Sequence, residues 1–182
     1  MQLQPTLTTI RLILRPFRLE DAADIQRLAG DRAIADTTLG IAHPYEDGMA
    51  EEWIATHEAL FAHEKKTIFA ITRKDDGALI GAISLMSIEP GHQAELGYWV
   101  GVPYWNAGYC TEAGRALLQY AFAELGLQRV HACHLTRNPG SGRVMQKLGM
   151  EHEGTRRRHV CKWEQFEDIE LYGILADDWK SE

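Results

Sequence analysis

The chain has 182 residues and a mass of 20.6 kDa, which is the usual length of a single domain. Hydrophobic residues make up 45% and charged residues 25%, a globular composition that excludes collagen-like, disordered and coiled-coil proteins. The net charge of −7 argues against nucleic-acid binding through overall charge, although it leaves room for a local basic patch.

The cysteines are few and widely spaced, at Cys110, Cys133 and Cys161, and no two form a CxxC pair. This pattern argues against a disulfide framework or a zinc ribbon and favours a reducing compartment. The N-terminal segment MQLQPTLTTIRLILRPF lacks the apolar core of a signal peptide, and no run approaches the roughly 18 apolar residues of a membrane helix. We therefore expect a cytoplasmic protein with neither a membrane nor a nucleic-acid partner.

The first half of the chain predicts one strand, two helices and a hairpin. Apolar and polar residues alternate from Thr9 to Arg15, as in a strand. Glu20 to Ala29 carries apolar residues at helical spacing and is followed by Gly30, a plausible helix stop. A loop rich in glycine and proline leads to a second helix. The strands Thr67 to Thr72 and Leu79 to Ile88 flank the turn RKDDG.

The second half alternates strands with helices and ends in two strands. Asn138-Pro139 opens a short helix, with Asn as the cap and Pro at the first helical position. The other predicted elements are a strand, a long helix, a strand and two final strands around a Trp-Glu turn: Ala94–Val102, Thr111–Leu125, Val130–Leu135, Met150–Lys162 and Phe166–Leu175. The two glycines in the first of these suggest a bulge, or close approach by another backbone or a ligand. The order predicts an α/β fold with a mixed seven-stranded sheet.

The turn between the strand ELGYWV and the helix TEAGRALLQYAF is a candidate anion site. Gly108 and the small Cys110 stand where the helix begins, so backbone amides there can point outward and the helix dipole favours an anion. The turn has neither the P-loop nor the Rossmann glycine pattern. On residues alone, a phosphate cradle and a tight strand-to-helix connection are both open.

The eight histidines raise the question of a metal site. His131, Cys133 and His134 cluster, but alternation along a strand turns His134 to the opposite face from the other two. A second ligand pair at metal spacing is missing, so we predict no metal. The basic run RRRH at 156–159 is either a solvated strand edge or a contact for a phosphate or an acidic substrate.

Three phrases together resemble the GNAT superfamily of acyl-CoA-dependent N-acetyltransferases: TTIRLILRPFRLEDAADI, AELGYWVGVPYWNAGYCTEA and NPGSGRVMQKLGM. They look most like the RimJ/RimL branch, which acetylates ribosomal-protein N-termini. The resemblance covers nearly the whole chain and implies one acetyltransferase domain over 8–179. It further implies a sheet that splays between the fourth and fifth strands to admit acetyl-CoA.

The resemblance assigns the cofactor site to the turn after the strand. In the family, a motif with Arg or Gln three residues before a glycine, and Gly or Ala two residues after that glycine, binds the CoA pyrophosphate through backbone amides; the matching stretch here is 105–110. Trp105 and Cys110 depart from that pattern here. The implied pyrophosphate ligands are the amides of Ala107, Gly108, Tyr109, Cys110 and Thr111, while the edge of Trp99 and Val100 would pair with the pantetheine amides. A bulge near Gly97 and Gly101 would suit that pairing. Trp99 also fits a core position.

The resemblance also suggests the catalytic groups. Acetyl transfer needs a neutral amine, and Glu95 is placed to take its proton, unless it is a plain strand carboxylate. Many GNAT enzymes carry, at the position of Met145, a Tyr that acts as the general acid and protonates the departing thiolate. Here that role is left to Ser141, to a water, or to no group at all. Asn138 is either a helix cap or a contact to the CoA arm, or both. Ser141 is alternatively an ordinary first-turn helix residue.

Tyr172 matches the aromatic residue of the last strand in this branch, and we predict that it lines the acceptor pocket. The implied reaction is direct acetyl transfer from acetyl-CoA to a primary amine, most simply a protein N-terminal α-amine. A small-molecule amine acetyltransferase and a catalytically weak CoA-binding protein are the alternatives. The sequence identifies neither the acceptor nor the oligomeric state, for which a dimer is one option.

Overall fold

A computed structural model describes residues 3–180, and within that range it shows an eight-stranded mixed sheet flanked by six helices. The strands are β1 Leu7–Thr8, β2 Leu12–Arg15, β3 Lys66–Arg73, β4 Leu79–Glu89, β5 Gln93–Val100, β6 Arg129–Leu135, β7 Glu151–Lys162 and β8 Gln165–Leu175. The helices are α1 Ala22–Ala29, α2 Arg32–Thr37, α3 Met49–Ala55, α4 His57–Ala62, α5 Tyr109–Ala123 and α6 Pro139–Lys147. Short 3-10 turns cover Leu19–Asp21, Val102–Tyr104 and Ala176–Asp178.

The strand order is β1-β2-β3-β4-β5-β6-β8-β7, and every neighbouring pair is antiparallel except β5 and β6. A parallel pair needs a crossover, and α5 supplies it between β5 and β6. The predicted α/β class with a mixed sheet is confirmed.

The sheet opens between the two parallel strands. Their pairing lasts for three residues only and ends at Glu95 opposite His131. Beyond that point β5 stays paired with β4, up to Val100 opposite Gly81, while β6 follows β8. The chain therefore splays where the resemblance predicts, and a wedge-shaped opening runs through the sheet.

The predicted number of strands is one too low. The alternating stretch from Thr9 to Arg15 is not one strand: the Thr9 amide donates to the Leu12 carbonyl at 3.0 Å, and a tight turn results. This turn joins the two-residue strand β1 to β2. Ile10, expected to face the core, lies at its tip and is 91% exposed. Such a short strand leaves no periodic signal in the sequence.

The region between β2 and β3 contains more helices than the two predicted. Helix α1 is confirmed, and the second predicted helix consists of two short helices, α3 and α4. An extra helix, α2, begins after Asp31, whose side chain accepts a hydrogen bond from the Ala33 amide at 2.9 Å. Asp at this position is a strong cap, and it follows the predicted stop at Gly30 directly.

Each face of the sheet carries its own buried cluster. The larger one includes Leu85, Leu96 and Leu117 and packs α5 and α6 against one face. The smaller one includes Ile25 and Ala70 and packs α1 and α3 against the other. The two helical layers leave the opening between β5 and β6 accessible between them. No helix within residues 3–180 is long and apolar enough to cross a membrane.

The expected bulge near Gly97 and Gly101 is absent, because β5 keeps a continuous register with β4 from Glu95 to Val100. Close approach of side chains explains the glycines instead. A Cβ at Gly97 would lie 2.8 Å from Met86 Cε, and one at Gly101 would lie 2.6 Å from Leu28 Cδ2.

Candidate active site

A cleft of about 830 Å³ fills the opening in the sheet. It reaches from the N-terminus of α5, at Gly108 and Thr111, past the free edge of β5 to Glu95. On the far side it continues between the sheet and the helical layer of α1–α4, where Tyr45 and Trp53 line it. The cleft thus connects the two faces of the sheet through the splay.

The turn before α5 presents unmet backbone donors to this cleft. Gly108 is the N-terminal cap residue with φ of +80°, a conformation that favours glycine, and without a side chain it cannot cap the first-turn amides. Within residues 3–180, no acceptor meets the amides of Tyr109, Cys110 or Thr111. These are the free first-turn donors of a helix, and they suit a pyrophosphate.

Arg11, in the turn between β1 and β2, contacts the anion site directly. Its Nη1 donates to the Ala107 carbonyl at 3.1 Å, and its guanidinium stacks 4.6 Å from the centre of the Tyr109 ring. The sequence did not point to Arg11, because the alternation from Thr9 to Arg15 predicts a strand with Arg11 on its polar face. The turn after β1 is what carries it to α5.

Glu112 lies in the first turn of α5, where a free carboxylate would repel an anion. Its oxygens instead accept hydrogen bonds from Thr9 Oγ1 at 2.6 Å and from the Arg11 amide and Nε at 2.7 and 2.6 Å. Burial alone would raise the pKa of Glu112, but these hydrogen bonds hold it below the usual range. The Arg11–Glu112 pair keeps the turn from carrying an unpaired negative charge.

Cys110 is one of the two residues that depart from the family motif. Its side chain packs against the larger buried cluster, and burial raises its pKa to about 12. The thiol is therefore neutral at physiological pH. It supports the turn from below by packing and leaves the outward amides free.

The backbone edge of β5 is free along the splay. The Gly101 amide donates to the Ile80 carbonyl at 2.8 Å, which makes that pair hydrogen-bonded and sets the alternation along β5. The backbone groups of Trp99 consequently face β4, and those of Tyr98 and Val100 face the opening. The expected pantetheine contact from the Trp99 backbone is thus not available, and Tyr98 takes its place at the edge.

The side chains of two tryptophans complete this region. Trp99 lines the cleft and packs against the smaller cluster. Trp105, which stands where the family motif has Arg or Gln, donates from Nε1 to the Val100 carbonyl at 2.8 Å. This bond ties the end of β5 to the turn and occupies the Val100 carbonyl. The Val100 amide stays open to a ligand.

Glu95 lies at the apex of the splay, on the last residue that β5 pairs with β6. It lines the cleft, and the Cys133 thiol donates to its Oε1 at 3.6 Å. Burial, with the adjacent Glu95 charge, raises the pKa of Cys133 to about 11. A carboxylate and a protonated thiol therefore stand together where the two faces of the sheet meet.

Helix α6 brings Asn138 and Ser141 to the cleft. Asn138 is the helix cap, with Oδ1 3.3 Å from the Ser141 amide, and its Nδ2 donates to the Thr37 carbonyl at 3.0 Å. Ser141 Oγ lies 2.9 Å from the hydroxyl of Tyr98, which also lies 2.9 Å from the Ser141 carbonyl. Met145, at the position of the family's tyrosine, is 1% exposed.

Tyr98 is a site residue that the sequence did not single out. Burial raises the pKa of its phenol well above the usual value, so the hydroxyl keeps its proton. The Tyr98 hydroxyl donates its proton to either the carbonyl or the Oγ of Ser141. Either hydrogen bond holds Ser141 close to β5. No local sequence signal links the two residues, which are 43 positions apart.

Tyr172 does not line the cleft, contrary to prediction. It lies opposite Ala132 on the sheet face covered by α6, where it is 6% exposed and accepts a hydrogen bond from Gln146 Nε2 at 3.3 Å. On β6 the cleft is lined by Cys133, His134 and Leu135, and the Tyr172 ring stacks against His134 at a ring-centre distance of 5.7 Å. Tyr172 is a core residue in this arrangement.

The remaining candidates do not assemble into a site. Among residues 3–180 there is no group of three potential metal ligands, and His134 Nδ1 bonds the Leu135 carbonyl at 2.8 Å. The basic run at 156–159 lies on an exposed part of β7, where the register with β8 shifts between Arg156 and Val160. None of its residues lines the cleft.

Comparisons with known proteins agree with this geometry. A family model described as "Acetyltransferase (GNAT) domain" matches residues 11–151. A Bacillus subtilis protein named "Uncharacterized N-acetyltransferase YnaD" is 30% identical over 173 residues, 95% of this chain and 98% of the relative. An Escherichia coli "Ribosomal-protein-serine acetyltransferase" is 32% identical over 113 residues, 60% of this chain and 61% of the relative.

A solved structure of Mycobacterium smegmatis RimJ "in complex with CoA-disulfide" has the same fold, with a TM-score of 0.86 and 23% identity over 96% of this chain and 88% of that one. The fold, the splayed strands and the family match define a GNAT-type acetyltransferase. This chain belongs to the GNAT family and is an acyl-CoA-dependent N-acetyltransferase whose relatives include the RimJ/RimL type.

Proposed function

We propose that this enzyme transfers the acetyl group of acetyl-CoA to the α-amine of a protein N-terminus, by direct attack in a ternary complex. One observation carries the proposal. A single cleft joins the unmet amides of the α5 turn to Glu95 and then to the α1–α4 layer, so donor and acceptor enter from opposite faces and meet at β5.

The residues present fit acetyl-CoA, which supplies an acetyl group activated as a thioester. The amides of Ala107, Gly108, Tyr109, Cys110 and Thr111 would hold the pyrophosphate, with Arg11 adding positive charge beside them. The free backbone groups of Tyr98 and the amide of Val100 would pair with the pantetheine arm. Asn138 would contact the arm from α6 while it caps the helix.

Glu95 and Ser141 would carry the proton transfers. Glu95 takes a proton from the acceptor ammonium, directly or through water, and the neutral nitrogen attacks the thioester carbon. The C–N bond forms, the C–S bond breaks with its electron pair leaving on sulfur, and the second proton of the nitrogen passes to that sulfur, which gives the amide and the free CoA thiol. Ser141, held by Tyr98, hydrogen-bonds the departing sulfur, and the positive end of the α6 dipole favours the same charge.

An acetyl-cysteine intermediate does not fit this site. Cys133 is the thiol beside Glu95, and its raised pKa, about 11, keeps it protonated at neutral pH. A nucleophilic cysteine instead needs a base or a lowered pKa to form its thiolate. The elevated pKa supports direct attack by the amine.

A mass-spectrometric assay tests the proposal. The enzyme is incubated with acetyl-CoA and three kinds of acceptor: peptides with free N-termini, the same peptides blocked at the N-terminus but carrying lysine, and a panel of polyamines and free amino acids. We expect acetylation at the α-amine of the free peptides. Faster acetylation of the small amines would favour the small-molecule alternative, and CoA binding with no transfer would favour the non-catalytic one.

A protein acceptor also bears on location. The Escherichia coli relative is named for a ribosomal protein, and a substrate of that kind would place this enzyme in the cytoplasm. Acetylation of purified ribosomal proteins by the enzyme, with the modified residue located by fragmentation, addresses this part of the proposal.

A further inference from the structure

The acceptor side of the cleft contains a cation that the proposed chemistry does not use. Lys66, the first residue of β3, lines the cleft together with Glu95. The strand register places Lys66 opposite Met86, and Met86 opposite Glu95. Residues directly opposite each other share a sheet face, so Lys66 and Glu95 stand in one row with a methionine between them.

The Lys66 ammonium is unpartnered in the part of the chain that the structure describes. Within residues 3–180 it makes no hydrogen bond, ion pair or ring contact. The neighbouring cleft wall is largely apolar and includes Trp53, Ile68 and Met86. The Lys66 charge acts on His57. Burial and this charge lower the pKa of His57 to about 4, so the imidazole is neutral at pH 7 and provides no counter-charge for Lys66.

A half-buried cation beside an apolar wall is poorly solvated, and an acceptor oxygen on a ligand would stabilise it. The row formed by Lys66, Met86 and Glu95 indicates which functional groups that ligand carries. Lys66 and Glu95 lie on strands two spacings apart, with their backbones about 9–10 Å from each other, and both side chains line the same cleft. A ligand that binds both residues therefore needs an amine for Glu95 and, close to it, an acceptor oxygen for Lys66.

An α-amino acyl group carries its amine and an acceptor oxygen close together. Its amine nitrogen and carbonyl oxygen are separated by three bonds, N–Cα, Cα–C and C=O, which span at most about 3.6 Å. With the amine at Glu95, the first carbonyl oxygen points along the row toward Lys66. A simple alkyl amine would leave the ammonium unpartnered.

Resting on the acetyltransferase function proposed above, we propose that Lys66 hydrogen-bonds the first carbonyl oxygen of the acceptor and so selects amines that carry an α-acyl group. The shared chemistry comes from two sources, the carboxylate of a free amino acid and the first peptide carbonyl of an N-terminus. Lys66 acts as a specificity residue and takes no part in the proton transfers.

The test uses three acceptors that share an amine on a methyl-bearing carbon: alanyl-alaninamide, free alanine, and isopropylamine, which lacks the carbonyl. Each is assayed with wild type, Lys66→Met and Lys66→Arg. For the two carbonyl-bearing acceptors, we expect kcat/KM to fall about 10- to 100-fold in Lys66→Met, the size of one charged hydrogen bond. We expect no change for isopropylamine or in the KM of acetyl-CoA, and partial recovery in Lys66→Arg.

Lys65→Met is the matched control, because Lys65 is exposed at the next position. An equal loss for all three acceptors in Lys66→Met, or no loss for any, would overturn the proposal. A stronger effect with alanine than with the peptide amide identifies a free amino acid as the acceptor, and the reverse identifies an N-terminus. Failure of wild type to acetylate any amine would instead refute the proposed function itself.

Discussion

Glu95 is the residue on which the proposed chemistry most depends. It stands at the apex of the splay and lines the cleft, with the Cys133 thiol as its hydrogen-bond partner. Replacing Glu95 with glutamine keeps the size of the side chain and removes the proton acceptor. We expect kcat/KM to fall about 10²- to 10⁴-fold near neutral pH, as is typical of a lost general base.

The pH profile separates this role from a structural one. The deficit of Glu95→Gln shrinks as the pH approaches that at which the amine is already neutral. Glu151→Gln, at an exposed position on β7, is the control and leaves the profile unchanged. A Glu95→Gln enzyme with wild-type kcat at pH 7 would assign the proton transfer to water or to another group.

Ser141 and Tyr98 act as one unit in this arrangement. We expect Ser141→Ala to lower kcat about 10-fold, equivalent to about 1.4 kcal/mol, with the KM of acetyl-CoA nearly unchanged. Tyr98→Phe removes the hydroxyl that holds Ser141 and lowers kcat by a similar factor. Because both changes break the same contact, the double variant is no slower than about the slower single variant.

Steady-state kinetics on the four proteins of this cycle measure the coupling. Thermal unfolding of each variant shows whether the fold is retained. Fully additive losses would separate the two residues, and weaker CoA binding at normal kcat in Ser141→Ala would make Ser141 a cofactor contact.

At the scale of the element, the N-terminus of α5 is the feature to test. Gly108→Asp puts a side chain and a negative charge in front of the free amides. A ligand that binds only the folded state raises its stability by about 2.7 kcal/mol at a hundredfold excess over Kd. Wild type therefore shows a higher Tm with CoA, and we expect Gly108→Asp to lose that rise.

Gly126→Asp is the matched control for this prediction. Gly126 follows the other end of α5 and also has a positive φ, +63°, with open space around its Cβ position. Both variants carry the same backbone strain and the same added charge, but only one blocks the turn. Loss of the Tm rise in both variants, or in neither, would contradict the assignment of the cradle.

At the scale of the whole molecule, the layer over the acceptor side makes stability depend on pH. His57 packs between Phe17 and Trp53, with ring-centre distances of 5.4 and 4.4 Å, and neither ring nitrogen has a partner within residues 3–180. Burial and the Lys66 charge lower its pKa from 6.5 to about 4. The folded protein therefore holds His57 neutral where the unfolded chain protonates it.

The sign of the effect follows from proton binding. Between pH 6.5 and 4 the unfolded chain binds more protons at this site, so the free energy of unfolding decreases as the pH falls through that range. The stabilising contribution is fully present above pH 6.5. We expect wild type to lose more stability between pH 7 and pH 5 than His57→Phe, which fills the same aromatic cluster without titrating.

Urea unfolding at the two pH values measures this difference. His63→Phe, at an exposed position just after α4, is the control and should keep the wild-type pH dependence. Equal pH dependence in wild type and His57→Phe would show that His57 is not the group responsible.

Local patterns in the sequence determined most of the elements. The turn RKDDG between two apolar runs predicted β3 and β4, and helical spacing predicted α1, because burial on one face imposes the helical period. Asn138-Pro139 predicted the start of α6 through capping chemistry, and the cap is present. The family phrases pointed to the splay and to the turn at Gly108, whose positive φ only glycine adopts readily.

The tertiary structure alone decided which side chains meet. Arg11 reaches the α5 turn across 96 positions, and Tyr98 reaches Ser141 across 43. Strand register placed Lys66 in the row of Glu95, turned the Trp99 backbone toward β4 and put Tyr172 in the core beneath α6. The sequence period assigns a residue to one of two faces, but only the pairing of distant strands decides what that face opposes, because shifting the register by one residue exchanges the two faces.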